Sequence, residues 1–322
     1  MKSANANISR EQRLIRLIKE ITSESLIGDD CAVLPGERLI SSDMLVEGKH
    51  FLLPQMDFGD LGWKSIAVNL SDIAAMAGIP EFVVVNIAMP AKLSDEEFSR
   101  LYQSMADCAS AYETRIVGGD LTASDRLVIS VTVMGKPAAS GAFMRSGARA
   151  GHVLAVTGDF GASALGLEQI LQGCKADASL SHPLKRHLRP EPRLKEAGDL
   201  AELCGGCEAA LMDASDGLAD AVLQIAEASG AGFEIEADLI PVHEETRRIA
   251  HELNKDPLEF ALYGGEDYEL VACVSPDVWS ALETRGTFTR IGVAVESPDV
   301  LIDTKKETLI LDRLKTFQHW SA

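Results

Sequence analysis

Six short acidic clusters, each flanked by Gly or Ser and most at the edge of an apolar run, punctuate the chain: Gly28-Asp29-Asp30, Ser41-Ser42-Asp43, Ser71-Asp72, Gly118-Gly119-Asp120, Met212-Asp213-Ala214-Ser215-Asp216-Gly217 and Gly264-Gly265-Glu266-Asp267. Carboxylates gathered in a partly buried place repel one another and lose hydration, so the arrangement is costly unless cations lie between them. Mg²⁺ suits such a place, because it takes oxygen ligands, keeps some of its waters and bridges carboxylates to substrate phosphates. The pattern points to metal-assisted phosphate chemistry. Taken singly, each cluster has a plainer explanation, since Asp beside Gly or Ser accepts local backbone N–H bonds in turns and helix caps. Six in one chain favour ligands.

The elements that must position these groups can be read from periodicity. Ser9 with Gln12 forms a capping box before the stripe Leu14, Ile15, Leu17, Ile18 and Ile21, predicting a helix over about 10–21. Strands are expected around 31–34 and 38–41, each beside an acidic cluster. A helix from after Asp60 to Ala77 carries Asp72 among apolar neighbours Leu70, Ile73, Ala74 and Met76, which is expensive for a lone carboxylate. A strand over 82–89, a helix capped by Ser94 and Glu97, a strand at 115–117 running into Gly118-Gly119-Asp120, and a strand at 127–134 give the first half a β-α-β-β-α-β-like order. Small residues at 136–141 mark a linker. Beyond it, strands at 153–157, 209–212, 268–274 and 288–295, with helices at 161–171 and 218–229, predict a second mixed unit.

At 322 residues the chain suits two domains of roughly 150 residues each, expected here as 1–140 and 141–322. The 30 basic and 49 acidic residues give a net charge of −19, which opposes nucleic-acid binding and requires cations to mediate contact with any nucleotide. Residues 1–10 lack the apolar core of an export signal, and no run approaches the roughly 20 apolar residues of a membrane span, so a cytoplasmic, membrane-free protein is expected. The six cysteines are expected to be reduced thiols; Cys204 and Cys207 have ligand spacing without a second pair, which favours a loop over a zinc site.

The common nucleotide loops are missing. Gly48-Lys49 is followed by His50 and Gly135-Lys136 by Pro137, so neither is a Walker loop, and no Gly-x-Gly-x-x-Gly follows a strand. Yet the runs Ile27-Gly-Asp-Asp-Cys-Ala-Val-Leu34, Ser42-Asp-Met-Leu-Val-Glu-Gly-Lys-His-Phe51, Lys64-Ser-Ile-Ala-Val-Asn-Leu-Ser-Asp-Ile-Ala-Ala-Met-Ala77, Gly118-Gly-Asp-Leu-Thr122, Arg145-Ser-Gly-Ala-Arg-Ala-Gly151, Met212-Asp-Ala-Ser-Asp-Gly-Leu218 and Gly264-Gly-Glu-Asp-Tyr-Glu-Leu270 resemble, in order, the thiamine-monophosphate kinase family. The resemblance implies an α+β fold of two mixed α/β domains of the aminoimidazole ribonucleotide synthetase-like type, whose N-terminal domains pair into a dimeric β-barrel. It implies ATP-dependent phosphorylation of thiamine phosphate to thiamine diphosphate by a homodimer using several Mg²⁺ ions.

Carried over by position, the resemblance assigns metal binding to Asp30, Ser41, Ser42, Asp43, Asp72, Asp120, Asp213 and Asp216, ATP binding to Gly119, Asp120, Arg145 and Ser215, and substrate contacts to His50, Glu266 and Phe317. The chain departs from the family at Thr316-Phe-Gln-His-Trp320, where a Gly-Tyr-Asp-His-Phe-like tail is common, and at Lys49 and Leu121. Because the acceptor is itself a phosphate with a second pKa near about 6, no general base is expected, and direct in-line transfer without a phospho-enzyme suffices. Two alternatives remain at this level: a selenophosphate synthetase-like enzyme, which would want a Cys within residues 1–30 that this chain lacks, and a non-enzymatic acidic metal-binding module.

Overall fold

The computed structural model describes residues 10–174, 180–205, 209–311 and 313–316. The first unit comprises α1 (Arg10–Thr22), β1 (Ala32–Leu34), β2 (Arg38–Val46), α2 (Phe58–Ala75), β3 (Gly78–Met89), α3 (Asp95–Ala111), β4 (Arg115–Ala123) and β5 (Val128–Pro137). Its sheet runs β1-β2-β5-β3-β4, antiparallel except for the parallel β3–β4 pair. The order is α-β-β-α-β-α-β-β: the elements expected one by one are present, but their succession is not the β-α-β-β-α-β-like motif assigned to them, and the strand expected at 38–41 continues to Val46. β4 likewise does not stop at Gly118 but carries Gly119 and Asp120 within it.

Alternation decides which side of this sheet is dry. Leu39 and Leu45 of β2 and Ile129, Val131 and Val133 of β5 turn inward against Ile66, Leu70 and Ile73 of α2, while Met44 and Met134 stay exposed on the other face. α3 closes the same inner side. It starts at the expected capping box of Ser94 and Glu97 and packs Leu101 and Met105 inward. Gly62 of α2 permits the close approach of the two helices, since a Cβ there would sit 2.2 Å from the Leu101 carbonyl oxygen. Ser9, the expected cap of α1, lies outside the described residues.

The second unit adds β6 (Val153–Val156), α4 (Ala162–Leu171), α5 (His182–Leu188), α6 (Leu194–Ala201), β7 (Ala210–Asp213), α7 (Leu218–Ser229), β8 (Gly232–Glu236), α8 (Glu244–Glu252), α9 (Pro257–Tyr263), β9 (Leu270–Val274), α10 (Pro276–Arg285), β10 (Thr289–Val295), β11 (Val300–Asp303) and β12 (Thr308–Ile310). Its sheet order is β12-β11-β8-β10-β6-β9-β7. β6 and β9 are buried along their whole length and read as unbroken apolar runs, and β7 is buried throughout but ends on Asp213. Neither sheet closes into a barrel. The stretch expected to be a linker is held by pairing: β5 extends through Pro137, Ala138 donates to the Ala77 carbonyl, and Phe143 donates to that of Met76. No described helix is long and apolar enough to cross a membrane.

Candidate metal and nucleotide site

The helix α2 lies between the two units, and its polar residues fall into two stripes at i, i+4, i+7 spacing. Ser65, Asn69 and Asp72 face β2: Asn69 Oδ1 accepts the Asp43 N–H at 3.0 Å, and the Ser41 hydroxyl donates to Asp72 Oδ2 at 2.5 Å. Lys64 and Ser71 face the second unit. Ser71 donates to Asp213 Oδ2 at 2.5 Å, and Lys64 reaches Glu266 Oε2 at 2.9 Å. An apolar helix thus carries polar groups to two different sheets at once.

Asp213 closes β7, and its carboxylate meets those of Asp72 and Asp30, each offering an oxygen within 4.8 Å of the other two. The Asp30 side chain is only 3% exposed. Burial, joined by Asp30, pushes the Asp213 carboxyl up to about 8, and burial with Asp43, Asp213 and Asp30 drives Asp72 well above the carboxylate range. Asp43 rises for the same two reasons, burial and the charge of Asp30. Such upward shifts measure how poorly the protein alone stabilises these charges. An all-oxygen set of closely placed carboxylates and hydroxyls is the donor chemistry of a hard divalent cation, so the residues fit Mg²⁺.

Arg145 brings a protein cation to this cluster. Arg145 donates to Asp30 from Nη2 at 2.7 Å and from Nε at 3.3 Å, to Gln224 from Nη1, and through its backbone N–H to Asp29. Burial alone would lower its pKa, but Asp30 overrides this and keeps the guanidinium charged.

The remaining expected residues are distributed unevenly. Ser41 and Asp43 share the inner face of β2 with Leu39, whereas Ser42 lies between them on the outer face, where its hydroxyl bonds the Val131 carbonyl and Thr132. Gly119 and Asp120 lie exposed on the edge strand β4, outside the carboxylate trio. Ser215 and Asp216 occupy the β7–α7 loop, which is tied to the Gly264–Asp267 loop by the Glu266 N–H to the Ser215 carbonyl at 2.6 Å. Gly217 allows that contact, with φ +100° and a would-be Cβ 2.2 Å from the Gly264 carbonyl oxygen.

His50 Nδ1 accepts the Val46 N–H at 2.9 Å, which places the proton of the neutral ring on Nε2. Burial pushes the Glu266 carboxyl up, but Lys64, which bonds it, pulls it below the usual range, and His187 and His50 add to this pull when protonated. The two expected substrate contacts are therefore near neighbours. Phe317 and Trp320 lie outside the described residues, as does Cys207. Sequence reasoning singled out Ser71 with Asp72 but missed Lys64, Asn69 and His187; the spacing of Lys64 to Ser71 and of Asn69 to Asp72 along α2 was the available signal.

Models described as AIR synthase related protein, N-terminal domain, and AIR synthase related protein, C-terminal domain, match residues 28–136 and 149–304. The thiamine-monophosphate kinase of Bacillus subtilis is 36% identical over 91% of this chain and 93% of its own length. The chain belongs to the thiamine-monophosphate kinase family. A further member, from Aquifex aeolicus, is 33% identical over 91% of this chain and 94% of its own length. The fold also superposes on a family structure described as AaThiL complexed with AMPPCP and TMP, with a TM-score of 0.84, 32% identity and coverage of 91% and 93% of the two chains.

Proposed function

We propose that this chain transfers the γ-phosphoryl group of ATP to the phosphate of thiamine monophosphate, giving thiamine diphosphate and ADP. The observation that carries this reading is the meeting of Asp30, Asp72 and Asp213, drawn from both units, in a kinase-family chain. ATP and thiamine monophosphate as the pair of substrates accord with AMPPCP and TMP in the related AaThiL complex. One acceptor oxygen attacks phosphorus as the bond to the β–γ bridging oxygen breaks, and ADP leaves with that electron pair.

Bound Mg²⁺ would supply the positive charge that lets two anions approach. Asp30, Asp43, Asp72 and Asp213, with Ser41, would hold it, and Asp216 and Asp120 would extend the set towards the nucleotide. Arg145 would trade its hold on Asp30 for ATP phosphates, with Ser215 and Gly119 as further nucleotide contacts. The Ser215 loop precedes α7, whose N-terminal N–H groups favour an anion. His50 and Glu266 would bind the acceptor, Phe317 is retained as a third contact, and no residue need act as a base. The decisive assay supplies ATP, Mg²⁺ and thiamine monophosphate to the folded protein. Thiamine diphosphate and ADP should form in equal amounts, and ATP left intact would refute the activity.

We place the domain boundary at 1–140 and 141–322, in keeping with a first sheet that ends at Pro137 and a second that begins at Val153. We also infer a homodimer. Met44 and Met134 lie exposed on the outer face of the first sheet, and Val117 and Leu121 on its edge strand. Pairing two such sheets into a β-barrel would cover these groups and the edge. Light scattering should then give twice the chain mass, and a monomer at micromolar concentration would exclude the barrel. A cytoplasmic location accords with the free thiols of Cys31, Cys108, Cys174, Cys204 and Cys273.

A further inference from the structure

Lys64 is among the largest fully buried side chains of the described residues, with 0% of its side chain exposed. Its ammonium crosses from α2 to the second unit, donating to Glu266 Oε2 at 2.9 Å and to the His187 carbonyl at 3.1 Å. His187 Nδ1 lies 3.3 Å from the same Glu266 oxygen and 3.1 Å from Ser163 Oγ. Burial first, and Lys64 second, push the His187 ring down to about 3, so the ring is neutral.

Two features separate this cluster from an ordinary ion pair inside a protein. Glu266 stands at φ 65°, a left-handed conformation that a side chain adopts at some cost, and the cost is carried at the residue that presents the carboxylate. Glu266 is also the only one of the three groups with access to the outside: its side chain is 26% exposed, against 3% for His187 and none for Lys64. A buried ion pair kept for stability alone gains little over apolar packing. Lys64 is fully buried on a helix whose residues Ile66, Ala67 and Val68 are also buried.

We infer that Lys64 is a positioning residue for the phosphoryl acceptor: by holding one oxygen of Glu266 from behind, it fixes the carboxylate to receive the cationic or N–H-donating part of thiamine monophosphate. This rests on the kinase reading above, and goes beyond it by assigning a role to a residue that no substrate can touch. Lys64 has no part in nucleotide binding, because its ammonium is sealed from the site and faces protein acceptors.

The test uses the full-length enzyme with wild type as reference, whose turnover of thiamine monophosphate checks the kinase reading independently. Lys64→Met keeps an unbranched side chain one atom shorter and removes the charge. KM for thiamine monophosphate should rise by about tenfold or more while KM for ATP stays within about twofold, the split expected when one binding contact loses its orientation. Glu266→Gln should raise the same KM. The Lys64→Met/Glu266→Gln protein leaves no lone buried charge; it should regain the melting temperature lost by Lys64→Met yet keep the raised KM, no worse than either single change. Lys64→Met with wild-type KM for the acceptor and a lowered melting temperature would reduce Lys64 to a structural residue. Should Lys64→Met fail to fold, Glu266→Asp, which shortens the reach to Lys64, gives the same readout, and an unchanged acceptor KM there would overturn the inference.

Discussion

Asp213→Asn should abolish turnover and at the same time make the metal-free protein more stable at pH 8. The carboxylate of Asp213 is buried beside those of Asp30 and Asp72, and its pKa is pushed from 3.8 to about 8 by burial and by Asp30. A carboxyl that titrates higher in the folded than in the unfolded chain favours folding fully only below the unfolded value. Its contribution is lost progressively as pH rises from about 4 through about 8. Asn cannot ionise, and its side-chain oxygen still accepts the Ser71 hydroxyl that now donates to Asp213.

In chelator, the melting temperature of the variant minus that of wild type should therefore grow between pH 5 and pH 8. Comparing the two proteins cancels groups that titrate elsewhere, such as Asp159 and Glu266, whose pKa values are lowered. Saturating Mg²⁺ should raise the wild type at pH 8 and close most of the gap, since a ligand that binds only the folded state stabilises it. Turnover should drop about a thousandfold, equivalent to about 4 kcal/mol of lost charge stabilisation at the transferred phosphoryl group. A pH-independent difference, or a variant with near-normal turnover, would show that these carboxylates do not form the cation site.

Glu269→Gln should be the most destabilising single change near the site. Glu269 is wholly buried and accepts four hydrogen bonds: Arg186 Nη2 and Arg193 Nη2 at 2.5 Å on Oε1, and Thr157 Oγ1 at 2.6 Å and Arg193 Nε at 2.7 Å on Oε2. Gln neutralises the acceptor while both guanidiniums stay, and its amide NH₂ turns one accepting end into a donor facing them. Breaking a buried ion pair from one side costs about 3–5 kcal/mol. The network has no slack to absorb this, because Arg186 Nε is already buried without a partner among the described residues.

A loss of that size should lower the melting temperature by about 10 °C. Glu252→Gln, which breaks the exposed Arg248 pair on α8, should cost about 0.5 kcal/mol or less. Similar small losses in both variants would mean that the buried charges are better solvated than their position suggests. Since Glu269 lies two residues after the Gly264–Asp267 loop, the same change should loosen the backbone that presents Glu266.

Much of the fold was legible one element at a time. The helix ending at Gly230 stops there because Gly230 takes the left-handed conformation that closes α7, and the capping box at Ser94 begins α3 as its spacing requires. Local signals of this kind belong to a few adjacent residues. They failed where an element owes its existence to distant partners: β8, β11 and β12 and the short helices α5, α6, α8, α9 and α10 were not read from periodicity, and β4 ran on through two glycines that suggested a break.

The site divides in the same way. Residue chemistry and order along the chain determined by themselves that carboxylates would gather for phosphate work, and the resemblance those motifs carried named the family. Only the tertiary structure decided which carboxylates meet. Strand alternation sends Ser41 and Asp43 inward and Ser42 outward, and the placing of α2 between two sheets brings Asp72 to Asp213 across 141 residues of chain while leaving Asp120 on an exposed edge. Position along a sequence fixes covalent neighbours, but the repulsion that makes a cation site arises between oxygens a few ångströms apart, and those distances exist only once both sheets have packed on one helix.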